Sequence, residues 1–217
     1  MTNPEMTLSL WNTIDQSELE QANVLVDQEY RRSGYLLPTD PSLPHIHDHF
    51  PATIVSTAKN AANSVLGTIA LIPDTAQKMP IDAVFPDEIS VLRSKNLKMA
   101  EIGRLAVAKL PEIPPTESKK VLPALFSTAL AWSFFLKLDA IVITINPKHD
   151  PLYRHFGFQP LDLNQERCHP TLKNAPALAR IVFLQNIDVQ SFRFLSLHPR
   201  EIRLSSAFRQ GKAPLSF

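Results

Sequence analysis

Residues 121–158 read VLPALFSTALAWSFFLKLDAIVITINPKHDPLYRHFGF, and the order of elements within them decides the fold. Leu122, Leu125, Ala129, Trp132 and Leu136 recur at helical spacing on one stripe, so the first half is a strong helix whose apolar side chains read as core. Pro123 fits such a helix only in its first turn, where the missing N–H costs little. Ile141–Ile145 is a β-branched run, hence a strand, that ends at Asn146 and Pro147. A short helix follows and closes at Gly157.

Upstream, Leu19, Ala22, Val26 and Tyr30 keep helical spacing, and Asp15 with Glu18 three residues on makes a capping box at the start of that helix. Ala52–Ala58 and Val65–Ile72 read as an antiparallel hairpin, Ile81–Ser94 as a weak helix and Ala100–Ala108 as a third strand. Met6–Ile14 is expected as the first strand and Arg180–Leu184 as the last. This order predicts a mixed sheet covered by helices, of the α/β or α+β class. Prolines crowd residues 38–51 and 111–123, two irregular connections expected to flank the site. No linker or repeat divides residues 1–217, so a single domain is expected, with a basic, partly amphipathic extension from about 191 to 217.

Composition narrows the function. Twenty-two basic against twenty-one acidic side chains leave a net charge of +1, which removes the overall basic signature of a dedicated nucleic-acid binder. The longest uncharged stretch, Val121–Leu136, is sixteen residues, below the ~20 needed to span a bilayer, so no transmembrane segment is expected. A single cysteine, Cys168, suits a reducing compartment, and no basic, apolar secretory signal is visible in Met1–Leu10; a cytoplasmic address is expected. Cys168 beside His169 invites a thiol-nucleophile reading but lacks a third orienting group. His45, His47 and His49 with Asp48 invite a zinc reading. A proline-flanked loop with no supporting element argues for a polar loop over the acceptor pocket instead, and no metal is expected. There are five glycines against nineteen prolines, where average usage of ~7% predicts about fifteen glycines. A glycine-rich phosphate cradle is therefore not expected.

Two stretches carry a resemblance. The first runs from Val142 to Phe158, with Asn146, Leu152 and Tyr153 ahead of Gly157 and Phe158; the second holds Gly67, Thr68, Asp74, Met79-Pro80-Ile81-Asp82, Phe85, Glu88, Leu92, Arg93 and Glu101-Ile102-Gly103-Arg104-Leu105-Ala106-Val107. Together with Pro147 and His149 they resemble the N-acyl amino acid synthase branch of the GNAT acyltransferase superfamily, related to the acyl-homoserine lactone synthases, over roughly Asp27–Leu161. The resemblance implies a GNAT-like mixed sheet and direct transfer of a medium or long acyl group from a thioester to an amine. No tightly bound cofactor is then expected; the donor, acyl-carrier-protein or acyl-CoA, is a co-substrate.

The sequence departs from ordinary acetyltransferases where they hold coenzyme A pyrophosphate on backbone amides. The corresponding segment, Lys109–Lys120, has no glycine and three prolines. A donor without the nucleotide, such as a carrier-protein phosphopantetheine, fits better. Between residues 93 and 120, seven cations (Arg93, Lys95, Lys98, Arg104, Lys109, Lys119, Lys120) face three acids (Glu101, Glu112, Glu117), which is expected to steer an acidic carrier protein or else forms a solvated face.

The resemblance also implies site residues. Tyr153 corresponds to the proton donor for the leaving thiolate, with packing on Phe158 as the alternative. Glu101 is the candidate base or amine binder, and Arg104 the candidate ligand for a substrate carboxylate or a partner to Glu101. Three apart in an unbroken strand, these two face opposite sides; a bulge at Gly103 would re-aim one. Backbone N–H groups at Val107, Ala108 and Lys109 are candidates for the oxyanion contact. Lys119 and Lys120 are expected on the donor, Arg31 near the acceptor, Asn146 on backbone or pantetheine amides, and His149 beside Tyr153, four residues apart on one helical face. Asp74, Asp82 and Glu88 are read as the border of the acceptor pocket or as turn and helix-start acids. Two rival readings remain: a coenzyme A-dependent acetyltransferase with a degenerate loop, and a non-catalytic module that binds an acyl ligand.

Overall fold

Side-chain alternation along the strands sets two apolar faces, and the helices divide between them. A computed structural model of the chain describes residues 9–13, 15–43, 52–60, 62–109, 115–161, 165–187 and 215–216. The histidine run at 45–49, the proline-rich residues 110–114 and nearly all of the C-terminal extension lie outside them. The elements are β1 (Ser9–Thr13), α1 (Gln16–Arg32), β2 (Ile54–Lys59), β3 (Val65–Pro73), α2 (Pro86–Ser94), β4 (Met99–Val107), α3 (Pro115–Phe135), β5 (Ala140–Ile145), α4 (Asp150–His155), β6 (Gln159–Pro160), β7 (Arg167–His169), β8 (Ala175–Phe183) and β9 (Leu215–Ser216). They form one mixed sheet in the order β6-β8-β5-β4-β3-β2-β1-β9, with β7 on β8. Every pairing is antiparallel except β4 with β5.

One face is covered by α3 and α4, where Val121, Leu125 and Phe126 pack with Ala100, Ile102, Ile141, Ile143, Tyr153 and Phe156. The other carries α1 and α2: Leu25 and Val26 lie on Ala106 and Ala108, and Ile89 and Leu92 on Met99, Ala140 and Val142. Removing this apolar surface from water, at roughly 25 cal/mol per Å2, is the main term holding the layers together. Among the described residues no helix is long and apolar enough to cross a membrane.

Several expectations change in detail. α3 begins at Pro115, so Pro123 lies inside the helix rather than in its first turn. The carbonyl four residues back, on Lys119, loses its donor; the residue is exposed, so water can take that place. Phe134 and Phe135, expected in the core, are exposed at the end of α3. The weak helix over Ile81–Ser94 is two pieces, a one-turn helix Pro80–Ala83 and α2, because Pro86 excludes the helical conformation at Phe85 (φ −129°, ψ 53°). Only half of the capping box forms. Asp15 accepts from the N–H groups of Ser17 and Glu18, while the Glu18 carboxylate is drawn to Thr57 Oγ1 at 2.7 Å and Lys59 Nζ at 2.5 Å.

α1 ends in a Schellman turn. Gly34 (φ +79°) donates to Arg31 O at 3.0 Å and Tyr35 to Tyr30 O at 2.9 Å, and the Tyr30 and Tyr35 rings meet edge-on at 5.7 Å. This turn aims Tyr35 away from the helix and towards the start of α4.

β3 passes so close beneath α3 that a Cβ on Gly67 would lie 2.7 Å from Val121 Cγ1 and 2.9 Å from Leu125 Cδ1. Gly67→Ala is therefore expected to destabilise the protein by about 1–3 kcal/mol through overpacking, read as a lower urea midpoint with an unchanged m-value.

Candidate active site

The site begins with a flaw in a strand. β3 and β4 keep register from Pro73↔Ala100 to Ala70↔Gly103, then resume at Thr68↔Ala106, so one β3 residue faces two on β4. Arg104, one of that pair, has φ +55°, a left-handed conformation that ordinary residues rarely adopt. The bulge sits one residue beyond the expected Gly103 and shifts the alternation. Glu101 and Arg104 thereby reach the same face, the one covered by α1. Nη2 of Arg104 donates to Asn23 Oδ1 on α1, and Glu101 Oε2 accepts from the N–H of Ile81 at 2.6 Å.

A bulge also bends its strand. β4 pairs with β5 only over Met99↔Ala140, Ala100↔Ile141 and Glu101↔Val142; beyond that point β4 stays with β3 and β5 with β8. The strands part at Glu101. The Ala108 N–H is spent on Leu66 O at 2.8 Å, so alternation turns the Val107 N–H to the opposite edge, facing the parting. Of the three expected amides, Ala108 is thus excluded by its ladder bond and Lys109 donates weakly to Glu29 Oε1 at 3.4 Å; Val107 retains the orientation an oxyanion contact needs.

Glu101 is 3% exposed. Burial first, and then the charge of Asp82, push its carboxyl up to about 8, against the pull of the Ile81 N–H and the Thr144 hydroxyl at 3.5 Å. Asp82 is fixed by Arg93, which also grips Asp74 through Nε at 2.8 Å, and Asp82 closes the one-turn helix on Met79 N at 2.9 Å. Asp74 and Asp82 therefore build the support of Glu101 through Ile81, and Asp82 takes the helix-start role, one of the two sequence readings for it. Glu88 likewise is tied to Arg167, whose guanidinium also donates to Val84 O at 2.8 Å.

Arg104 is pulled down to about 10 by burial, opposed by Tyr30 and Asp27. Tyr30 is the residue that sequence reasoning placed only on a packing stripe. Its phenol is raised to about 12 by burial, opposed by the charge of Arg104 and helped by Tyr35 and Glu101, and it packs on Ala106 and Ala108 beside Leu25 and Val26. The spacing Val26–Tyr30 carried no signal beyond packing. Tyr153 is 7% exposed on the opposite face, edge-on to Phe126 and Phe158 at 5.9 Å each. Burial raises its phenol pKa above the usual tyrosine value, with further contributions from Tyr30 and Tyr35, which act on it although they belong to the other side of the sheet.

The remaining candidates separate. His149 precedes α4 rather than sharing a helical face with Tyr153; it is exposed, and its Nε2 lies 3.4 Å from Tyr35 Oη. Partial burial, then Lys148 and Lys109, lower its pKa. Lys148 Nζ stands 4.6 Å from the Tyr35 ring centroid, so the turn after α1 is joined to the start of α4. Asn146 caps the one-turn helix Pro147–His149 through Lys148 N at 3.1 Å. Arg31 is turned away from an acceptor role: it binds the carbonyls of Leu37 and Asp40, the latter at 2.8 Å, and so ties down the turn after α1.

The cations of residues 93–120 do not form one face. Arg93 is held by Asp74 and Asp82, Arg104 lies under α1, and Lys98 and Lys109 flank opposite ends of a nine-residue strand that is itself ~30 Å long at ~3.4 Å per residue. Lys109, Lys119 and Lys120 are exposed. They gather at the Val107 end of β4, because Gly67 pairs with Val107 and also touches Val121 at the second turn of α3. Arg32 joins them through Lys109 O at 3.4 Å.

Residues 21–181 match the sequence model of the family described as N-acyl amino acid synthase FeeM. Among solved structures, FeeM, an N-acyl amino acid synthase from uncultured soil microbes, superposes with a TM-score of 0.71 at 26% identity, over 84% of this chain and 93% of that one. The coenzyme A-dependent acyl-homoserine lactone synthase BjaI, solved with SAM and isopentyl-CoA, gives a TM-score of 0.59 at 16% identity, over 88% and 87% of the two chains. The spermidine N-acetyltransferase of Vibrio cholerae, solved with CoA and spermine, gives 0.51 at 18%, over 82% and 96%. The last two share the GNAT fold with this chain. No curated protein matches it by sequence.

Because Glu101 takes up its proton more readily in the folded chain than in the unfolded one, the native state binds more protons between about pH 4.5 and 8, and stability falls as pH rises through that window. Glu101→Gln should remove this component, raising the denaturation midpoint more at pH 8.5 than at pH 5; equal shifts at both would contradict the buried, proton-holding carboxyl.

Proposed function

Because the chain belongs to the N-acyl amino acid synthase FeeM family and is an N-acyltransferase of the GNAT fold, we propose that it moves a medium or long acyl group from a carrier-protein thioester to the amine of an amino acid, by direct transfer, in the cytoplasm. The observation that carries this reading is the parting of β4 and β5 at Glu101, with Glu101 and Arg104 on one face and Tyr153 on the other. Strand edges left without a ladder partner offer N–H and C=O groups to an extended, amide-bearing arm such as phosphopantetheine.

In this reading the acceptor carboxylate approaches the Arg104 guanidinium, the acceptor ammonium loses one proton to solvent before attack, and ionised Glu101 takes the second from the nitrogen as the C–N bond forms. The carbonyl oxygen gains charge beside the Val107 N–H. The C–S bond then breaks, and the thiolate takes its proton from the Tyr153 hydroxyl, which solvent replenishes. The products are an amide and a free thiol, so the acyl group is never attached to the enzyme. Carrier proteins are acidic, and Lys109, Lys119, Lys120 and Arg32 at the Val107 end of the parting give such a partner its docking charge. The absence of glycine from residues 109–120 supports a donor without the nucleotide.

The test is dodecanoyl carrier protein or dodecanoyl-CoA offered with each of the twenty amino acids, with thiol release and amide formation followed by mass spectrometry. Turnover is expected with the carrier protein, and the donor KM should rise with salt. Binding of acyl donor without amide from any acceptor would instead make the chain a non-catalytic module, and turnover confined to short acyl-CoA would make it an ordinary acetyltransferase. With the responsive pair, kcat/KM should climb with pH to an inflection near 8, as the Glu101 carboxyl ionises. Glu101→Gln should be slow and flat across that range. Arg104→Lys is expected to raise the acceptor KM about tenfold or more with a smaller change in kcat, since a planar two-bond grip is lost.

A further inference from the structure

Arg180 is the largest of the fully buried side chains, with 0% of its surface exposed. It lies in the middle of β8, opposite Ile143 of β5 and Pro160 of β6, and its neighbours Leu178 and Val182, two residues to either side, place it on the face covered by α3 and α4. Its Nε donates to Asp150 Oδ1 at 2.5 Å and its Nη1 to Ala179 O at 2.9 Å, while Nη2 is buried without a hydrogen-bond partner among the described residues. The second carboxylate oxygen of Asp150 takes Arg154 Nε at 2.7 Å, one turn along α4.

Stability alone does not account for this arrangement. Burying a guanidinium with one donor unspent costs several kcal/mol, and an apolar residue of similar volume is often as stable or more so. What the pair does is hold α4. That helix has six residues, too few to persist on its own, and among them only Tyr153 is buried. Asp150 is its first residue and Tyr153 its fourth, so the ion pair fixes one end of the turn that carries the phenol. Burial makes that phenol a weaker acid than free tyrosine, so it protonates a thiolate only when held within hydrogen-bond reach as charge develops on sulfur.

We propose that the Arg180–Asp150 pair is a positioning device which fixes the first turn of α4 and with it the Tyr153 ring that this turn carries against Phe126 and Phe158. The proposal rests on the role given above to Tyr153, and it adds Arg180 on β8 and Asp150 at the start of α4, which act on the phenol through the backbone of that helix.

The chain has three tyrosines, so 3-fluorotyrosine labelling gives three 19F resonances, assignable by single Tyr→Phe variants. Arg180→Lys is expected to shift or broaden the Tyr153 line alone, and to lower kcat with dodecanoyl carrier protein about tenfold to a hundredfold with little change in donor KM. Placed in the Tyr153→Phe background, it should cause no further loss of kcat. Asp150→Asn, close in shape to the native residue, should give the same pattern and serves if Arg180→Lys does not fold. An unmoved Tyr153 line, or losses that multiply in the double variant, would overturn the positioning role while leaving Tyr153 as the acid. Full turnover by Tyr153→Phe itself would remove the role of Tyr153 and this inference with it, an outcome read directly from that single variant.

Discussion

A bulge at Arg104 and Leu105 bends β4 away from β5 just past Glu101, and most of the site follows from that bend. Had the ladder continued, Val107 would bond to β5, no strand edge would face a ligand, and Arg104 would lie under α3 among apolar side chains. The bulge forgoes several inter-strand hydrogen bonds and holds a non-glycine residue at φ +55°. Such strain is tolerated where surrounding structure fixes it. Here β3 keeps its register on both sides of the irregularity, and α1 supplies Asn23 to the redirected guanidinium.

Around that parting, charge is placed by burial more than by pairing. Glu101 is buried beside the negative charge of Asp82, which raises its pKa, and Arg104 is buried in an environment that lowers its own. The two shifts bring a carboxyl that ionises near 8 and a persistent cation onto one face, which suits an amine that must lose a proton and a carboxylate that must be held. The Asp74–Arg93–Asp82 network serves this indirectly. It fixes the one-turn helix whose Ile81 N–H holds Glu101 at 2.6 Å, so a substitution at Arg93 reaches the base candidate through the backbone. On the opposite side Tyr153 lies in the aromatic cluster with Phe126 and Phe158. The two halves of the proposed chemistry thus sit on opposite faces of a sheet that is open between β4 and β5.

The periodicities of the chain located the longer elements and their order, but not the short strands β6, β7 and β9. Apolar spacing located α1, the hairpin of β2 and β3, the core stripe of α3 and the β-branched β5, because burial on a helix or strand imposes its own period on the sequence. The Glu101–Arg104 segment and Tyr153 were legible as a resemblance. Sequence could also state the conflict: two residues three apart on a strand face opposite ways unless a bulge intervenes. It could not say that the bulge exists, since a register shift depends on how β3 and β4 pair and leaves no local signature when the strained residue is an arginine. Nor could it separate Arg31, held by the carbonyls of Leu37 and Asp40, from Arg104, or give Tyr30 and Arg180 more than a place in a packing pattern. Apart from Arg31, whose carbonyl partners lie within ten residues of it, those assignments rest on contacts between residues tens of positions apart. They were decided only when the sheet brought β4, β5 and β8 side by side and the helices closed over its two faces.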